Sequence, residues 1–136
     1  MNRREFLGTA ALASAALAAD PAVGASATPE RLVAELYKSL TPEQSATVVL
    51  PFDSPLRSRV ENNWHITDAR VGRFFNPDQQ ALIEQVFMEL HAPEFATSLK
   101  KHVRDDFGSV RNLSVALFGT PGSGKFEFVI TGRHCT

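Results

Sequence analysis

The chain has 136 residues, 43% of them hydrophobic and 21% charged, which suits one folded domain and excludes a disordered or collagen-like polymer. Fourteen Lys and Arg against fifteen Asp and Glu leave a net charge of −1, which argues against a nucleic-acid partner held by phosphate contacts. The single cysteine excludes an internal disulfide framework and an all-cysteine metal site, and no apolar run is long enough to span a membrane.

The start reads as an export signal. Arg3 and Arg4 stand before Phe6-Leu7, an Ala-rich stretch runs from Gly8 to Ala19, and Asp20-Pro21 breaks it. Ala25-Ser26-Ala27 then offers a small-residue cleavage site. The segment resembles a twin-arginine signal peptide, with Asn2 in place of the commoner Ser or Thr. That resemblance implies export through the twin-arginine translocation machinery, a periplasmic or secreted location, and no membrane span after cleavage. The charge balance survives cleavage, because Arg3 and Arg4 leave together with Glu5 and Asp20. Residues 28–136 are then the mature part.

The mature part is expected to be α+β, with several amphipathic helices followed by a β-hairpin. Thr28-Pro29 is a helix start, with Leu32, Val33, Leu36, Tyr37 and Leu40 at helical spacing. Thr41-Pro42-Glu43-Gln44 repeats the start with the spacing of a capping box, and a short helix is expected to about Val49. Pro51 and Pro55 confine what lies between them to a turn or extended loop. Residues Asn62 to Ile66 are a candidate short strand. Asn76-Pro77-Asp78-Gln79 starts another helix, whose apolar stripe is Leu82, Ile83, Val86, Phe87 and Leu90. Ala92-Pro93 opens a last one, with Phe95, Leu99, Val103 and Phe107 expected inward and Gly108 ending it. Two alternating runs, Leu113–Phe118 and Phe126–Ile130, flank Pro121-Gly122-Ser123-Gly124 and make the hairpin.

One motif is deceptive. Gly119-Thr-Pro-Gly-Ser-Gly124-Lys125 fits the opening of a phosphate-binding loop. The next residue should be a Ser or Thr that ligates Mg²⁺, but it is Phe126, and a strand rather than a helix follows. A P-loop NTPase is rejected, and no nucleotide-binding residues are assigned.

The polar candidates cluster around two short elements. Asp53, Arg57, Trp64, His65 and His134 form the candidate site for a small polar ligand or metal, with Asp53, Arg57 and Arg59 able to ion-pair near His65. His91 and His102 read as surface residues on helices, and Asp105-Asp106 as a solvated helix end. No nucleophile elbow or Cys/His signature is present, so no catalytic residue and no cofactor is assigned. The alternative is a structural or interaction module whose hairpin edge adds strands to a partner.

In order, Leu40-Thr-Pro-Glu-Gln44, Pro51-Phe52-Asp53, Asn63-Trp64-His65, Phe118-Gly119-Thr120-Pro121 and Gly132-Arg133-His134 resemble the domain of unknown function 3500 family. The resemblance covers Pro29 to the last residue and implies an exported bacterial protein, with no activity to transfer. The family pattern often has Gly-His-His where Gly132-Arg133-His134 stands, so only His134 carries over. The family's domain is also longer, so the chain is expected to be its N-terminal portion, truncated within a larger sheet. A later cysteine could then pair with Cys135.

Overall fold

A computed structural model describes residues 28–122 and 124–135; the segment expected to be an export signal lies outside the described residues. The fold is α+β. Helix α1 (Pro29–Ser39) is followed by α2 (Pro42–Val48), strand β1 (Val49–Leu50) and a 3₁₀ turn (Pro55–Ser58). Next come α3 (Val71–Phe74), α4 (Pro77–Glu89), a 3₁₀ turn (Pro93–Phe95) and α5 (Ala96–Asp106). A 3₁₀ turn (Val110–Asn112), β2 (Ser114–Gly119) and β3 (Phe126–Thr131) complete the order.

Helices α1, α2 and α4 start as their sequences dictate. Thr28, Thr41 and Asn76 each cap a backbone N–H three residues on, and each is followed by Pro at the first helical position, where no N–H is needed. Gln44 and Gln79 complete capping boxes at α2 and α4 by accepting from the cap residue's own N–H.

The hairpin β2–β3 joins a mixed sheet of order β1-β2-β3, with β1 parallel to β2 and β3 antiparallel to it. Leu117 therefore lies opposite Val49 on one side and Phe128 on the other. One face of the sheet, with Val115, Leu117, Phe128 and Ile130, packs on the apolar stripes of α1 and α4. The other face, with Ala116, Phe118 and Val129, is covered by Phe52, Leu56, Trp64 and Ile66 from the long connection after β1. Every residue from Ser114 to Phe118 is buried, although the sequence alternates in the manner of a half-exposed strand.

The connection is pinned by buried polar groups. Ile66 donates its N–H to Thr131 Oγ1 at 2.8 Å, and that oxygen lies 3.0 Å from Ser114 Oγ. Thr67 Oγ1 donates to the Val115 carbonyl at 2.7 Å. Each satisfied pair removes the desolvation penalty that a lone buried hydroxyl would carry.

Three local expectations are corrected, and a fourth, at the glycine-rich loop, holds. Asn62–Ile66 is not a strand but an extended segment tied by the isolated bridge Asn63–Arg133 and the bond His134 N–H to Asn62 O. Val49-Leu50 forms a strand where only a helix end was expected, because its partner β2 is remote in sequence. Leu90 and Phe95 lie outside the core, 61% and 59% exposed, since the chain turns away after α4 and enters α5 through a 3₁₀ turn. The loop from Gly119 to Lys125 joins two strands and opens no helix, so it lacks the phosphate-facing helix terminus of a P-loop.

Candidate functional site

The five residues expected to form one site separate into two environments. Trp64 is buried in the layer beneath the sheet, against Phe118 and its neighbours. Arg57 lies in the same layer. Its guanidinium stacks 4.2 Å from the centre of the Phe52 ring, and its Nη1 lies 3.1 Å from Glu127 Oε2 on β3. Arg59 pairs with Glu61 and sits 5.4 Å from the Trp64 ring centre. Asp53 is exposed, and the ion pair expected between it and these arginines is replaced by the pairs with Glu127 and Glu61.

His65 is half-buried, and its Nδ1 is buried without a hydrogen-bond partner among the described residues. Burial holds its imidazole below the usual histidine range, and the Arg70 charge pushes the same way. A protonated ring would place a second N–H where no described residue accepts it, so burial here disfavours the charged form.

His134 belongs to a different constellation. The tight turn from Gly132 to Cys135 is closed by Gly132 N–H to Cys135 O at 3.0 Å. His134 sits in it at φ 53°, a left-handed conformation uncommon for a side-chain-bearing residue. Its Nδ1 lies 3.1 Å from both carboxylate oxygens of Asp106 at the end of α5, and Arg133 Nε lies 3.3 Å from the same carboxylate. A carboxylate only accepts, so Nδ1 carries the proton in this pair and Nε2 is left for other partners.

This pair borders an open cavity of about 390 Å³ between α4, α5 and the terminal turn. Its polar lining is His91, His102, Asp106 and His134, with Cys135 beside them. Its apolar lining is Phe87, Leu99, Val103 and Phe107. His91 Nδ1 lies 2.7 Å from the Phe87 carbonyl, which likewise leaves its Nε2 unused by that bond. Burial pushes the Cys135 thiol up, which disfavours the thiolate a cysteine nucleophile requires. Among the described residues, no three His, Cys, Asp or Glu side chains are grouped to hold a metal ion.

In sequence, His91 and His102 read as surface residues and Asp106 as part of a solvated helix end. Only the packing of α4 beside α5 and the terminal turn brings them to one cavity. The available signal was the recurrence of four histidines in so short a chain, which does not say which of them meet.

No protein-family model, no curated protein and no solved structure matches the chain.

Proposed function

We propose that this is an exported α+β protein, related to the domain of unknown function 3500 family, that binds a small polar ligand in the cavity around His134 and Asp106. The observation that carries the ligand reading is that three histidines and a carboxylate from three separate elements line one cavity with an apolar wall. An apolar wall with a few convergent polar groups suits a small molecule with an apolar body and a hydrogen-bonding head. Nε2 of His134 and of His91 can accept a hydroxyl proton when neutral, and Asp106 can accept from an N–H or O–H. Export rests on Arg3, Arg4, Phe6 and Leu7, with the twin-arginine machinery as the transport partner and the periplasm as destination.

The test follows the histidine ring resonances of the full chain during titration with phenol, 4-hydroxybenzoate and benzoate. Saturable shifts at His91, His102 and His134, lost in His134→Gln, support the reading. Shifts at none of the three rings count against it. For location, Arg3→Lys with Arg4→Lys should leave the chain in the cytoplasmic fraction of a bacterial host, and unchanged export would sink the twin-arginine assignment.

A second reading has its own observation. Strand β3 ends the sheet, and beside it an open groove is lined by Val33, Val86, Leu90, Phe126 and Phe128. An edge strand next to apolar side chains suits strand addition by a partner. Size-exclusion chromatography with cross-linking discriminates, and a monodisperse monomer disfavours this reading.

A further inference from the structure

A second polar cavity, distinct from the histidine cavity, lies where α3 meets the 3₁₀ turn Val110–Asn112. It measures about 470 Å³ and is lined by Arg70, Gly72, Arg73, Arg111 and Asn112. Three arginines therefore line one space. Arg70 Nη1 donates to the Asn112 backbone carbonyl at 3.2 Å, so its charge meets no carboxylate there. Arg111 Nε donates to Glu84 at 2.7 Å. Arg73 makes no ion pair with any described residue. One carboxylate thus serves three cations.

The convergence is built into the backbone. Gly72 lies between Arg70 and Arg73, and a Cβ added there would come within 2.9 Å of Arg111 Cβ and 3.3 Å of Arg111 O. Any larger residue would force the two elements apart. Val71 N–H donates to Leu113 O at 2.9 Å, and Arg70 bridges to Ser114, so α3 is anchored to the start of β2. The arginines stand on a fixed scaffold, which is what a preorganised binding site requires.

We infer that this cavity binds a doubly charged tetrahedral oxyanion, a phosphate or sulfate group, through the guanidinium groups of Arg70, Arg73 and Arg111. The planar N–H fork of arginine matches two oxygens of such a group at once, which a lysine point charge does not. An anion in this space also supplies a counter-charge to Arg70 and Arg73, which pair with no carboxylate among the described residues. The cavity exceeds a bare phosphate, leaving room for a small organic body that carries the group.

The experiment titrates the full chain separately with inorganic phosphate and inorganic sulfate at pH 7, against chloride at equal ionic strength. The arginine Nε–Hε resonances are followed. The expected result is saturable shifts at Arg70, Arg73 and Arg111 with one or both oxyanions, and the anion that saturates identifies the head group. Losing a charge-assisted bond should weaken binding about ten-fold in Arg73→Gln, and Arg111→Lys should weaken it although charge is kept. Arg73 is exposed and holds no described partner, so Arg73→Gln decides the matter even where Arg111→Lys folds poorly. Shifts that match chloride, or binding unchanged in Arg73→Gln, overturn the inference.

Discussion

The side-chain amides of Gln44 and Gln79 exchange two hydrogen bonds, each 2.9 Å long, so the capping boxes of α2 and α4 are bolted to one another. Each amide oxygen also accepts from its own cap residue, Thr41 or Asn76. Each amide nitrogen donates once more, Gln44 to Phe74 O at 2.9 Å and Gln79 to Ser39 O at 2.8 Å. Two helix starts and the ends of α1 and α3 therefore meet at one buried, satisfied polar knot.

Truncating Gln79 to Ala would leave the buried amide of Gln44 unmet and remove part-buried bonds to Ser39 and Asn76. The expected loss is about 2–4 kcal/mol, above the cost of one ordinary hydrogen bond because several groups lose partners together. Urea unfolding measures it, and a loss below that of an exposed cap such as Thr28→Ala would show that the knot does not act as a unit.

His65 sets a pH dependence. Its folded-state affinity for protons lies below the unfolded value of 6.5, through burial first and the Arg70 charge second. The unfolded state thus binds the proton more readily, and stability must fall as pH drops from 6.5 through the folded value. His65→Gln should flatten stability between neutral pH and about pH 5, within the histidine titration range. The acid-side losses from Glu43 and Asp105, whose values are also lowered, lie below their ordinary 4.5 and 3.8 and should persist.

Arg57 should matter more through its stacking than through its ion pair. The pair with Glu127 is partly exposed, with 33% and 41% of the two side chains accessible, so Glu127→Gln should cost about 0–1 kcal/mol. Arg57→Ala also uncovers Phe52 and should cost more. A double-mutant cycle separates the two, and a coupling energy as large as the whole Arg57→Ala effect would contradict this assignment.

Helix α5 should exchange its amide hydrogens first. It contributes no buried residue, whereas α4 buries Gln79, Gln80, Ile83, Val86 and Phe87. Few buried contacts mean a low local opening free energy. Hydrogen exchange at neutral pH should therefore show α5 opening well before α4, and equal protection would mean that the two helices unfold together.

Gly119 serves the hairpin rather than a phosphate. It sits at φ +78°, and a Cβ there would strike the Lys125 carbonyl. Gly119→Ala should destabilise by roughly 1–3 kcal/mol through backbone strain and overlap. Lys125→Ala should leave stability nearly unchanged, as is usual for an exposed side chain. Thermal unfolding checks both, and a shift on adding Mg²⁺ and ATP would revive the phosphate-loop reading.

Much of this architecture was legible because its signals are local. Thr28, Thr41 and Asn76 with their following prolines announce helix starts through bonds spanning three residues. Phe126 announces a strand, and disqualifies the phosphate loop, by its own chemistry and the alternation after it. The α+β class and the hairpin followed from these patterns alone. Other features were illegible because they join residues far apart in sequence. Strand β1 exists only through pairing with β2, more than sixty residues on, and the second buried face of β2 exists only because the Phe52–Ile66 segment folds beneath it. Gln44 could be read as half of a capping box, but its bond to Gln79 depends on how two helices meet. The same physics governs the sites. Position near a strand end singles out His134, and the arginines that stand out in sequence are Arg57 and Arg59, but distance in space selects Asp106 as the partner of His134 and places Arg70, Arg73 and Arg111 around one cavity beside Gly72. Backbone and capping forces act over a few residues and are written in order along the chain, whereas electrostatic and packing partners are chosen by the fold that those forces build.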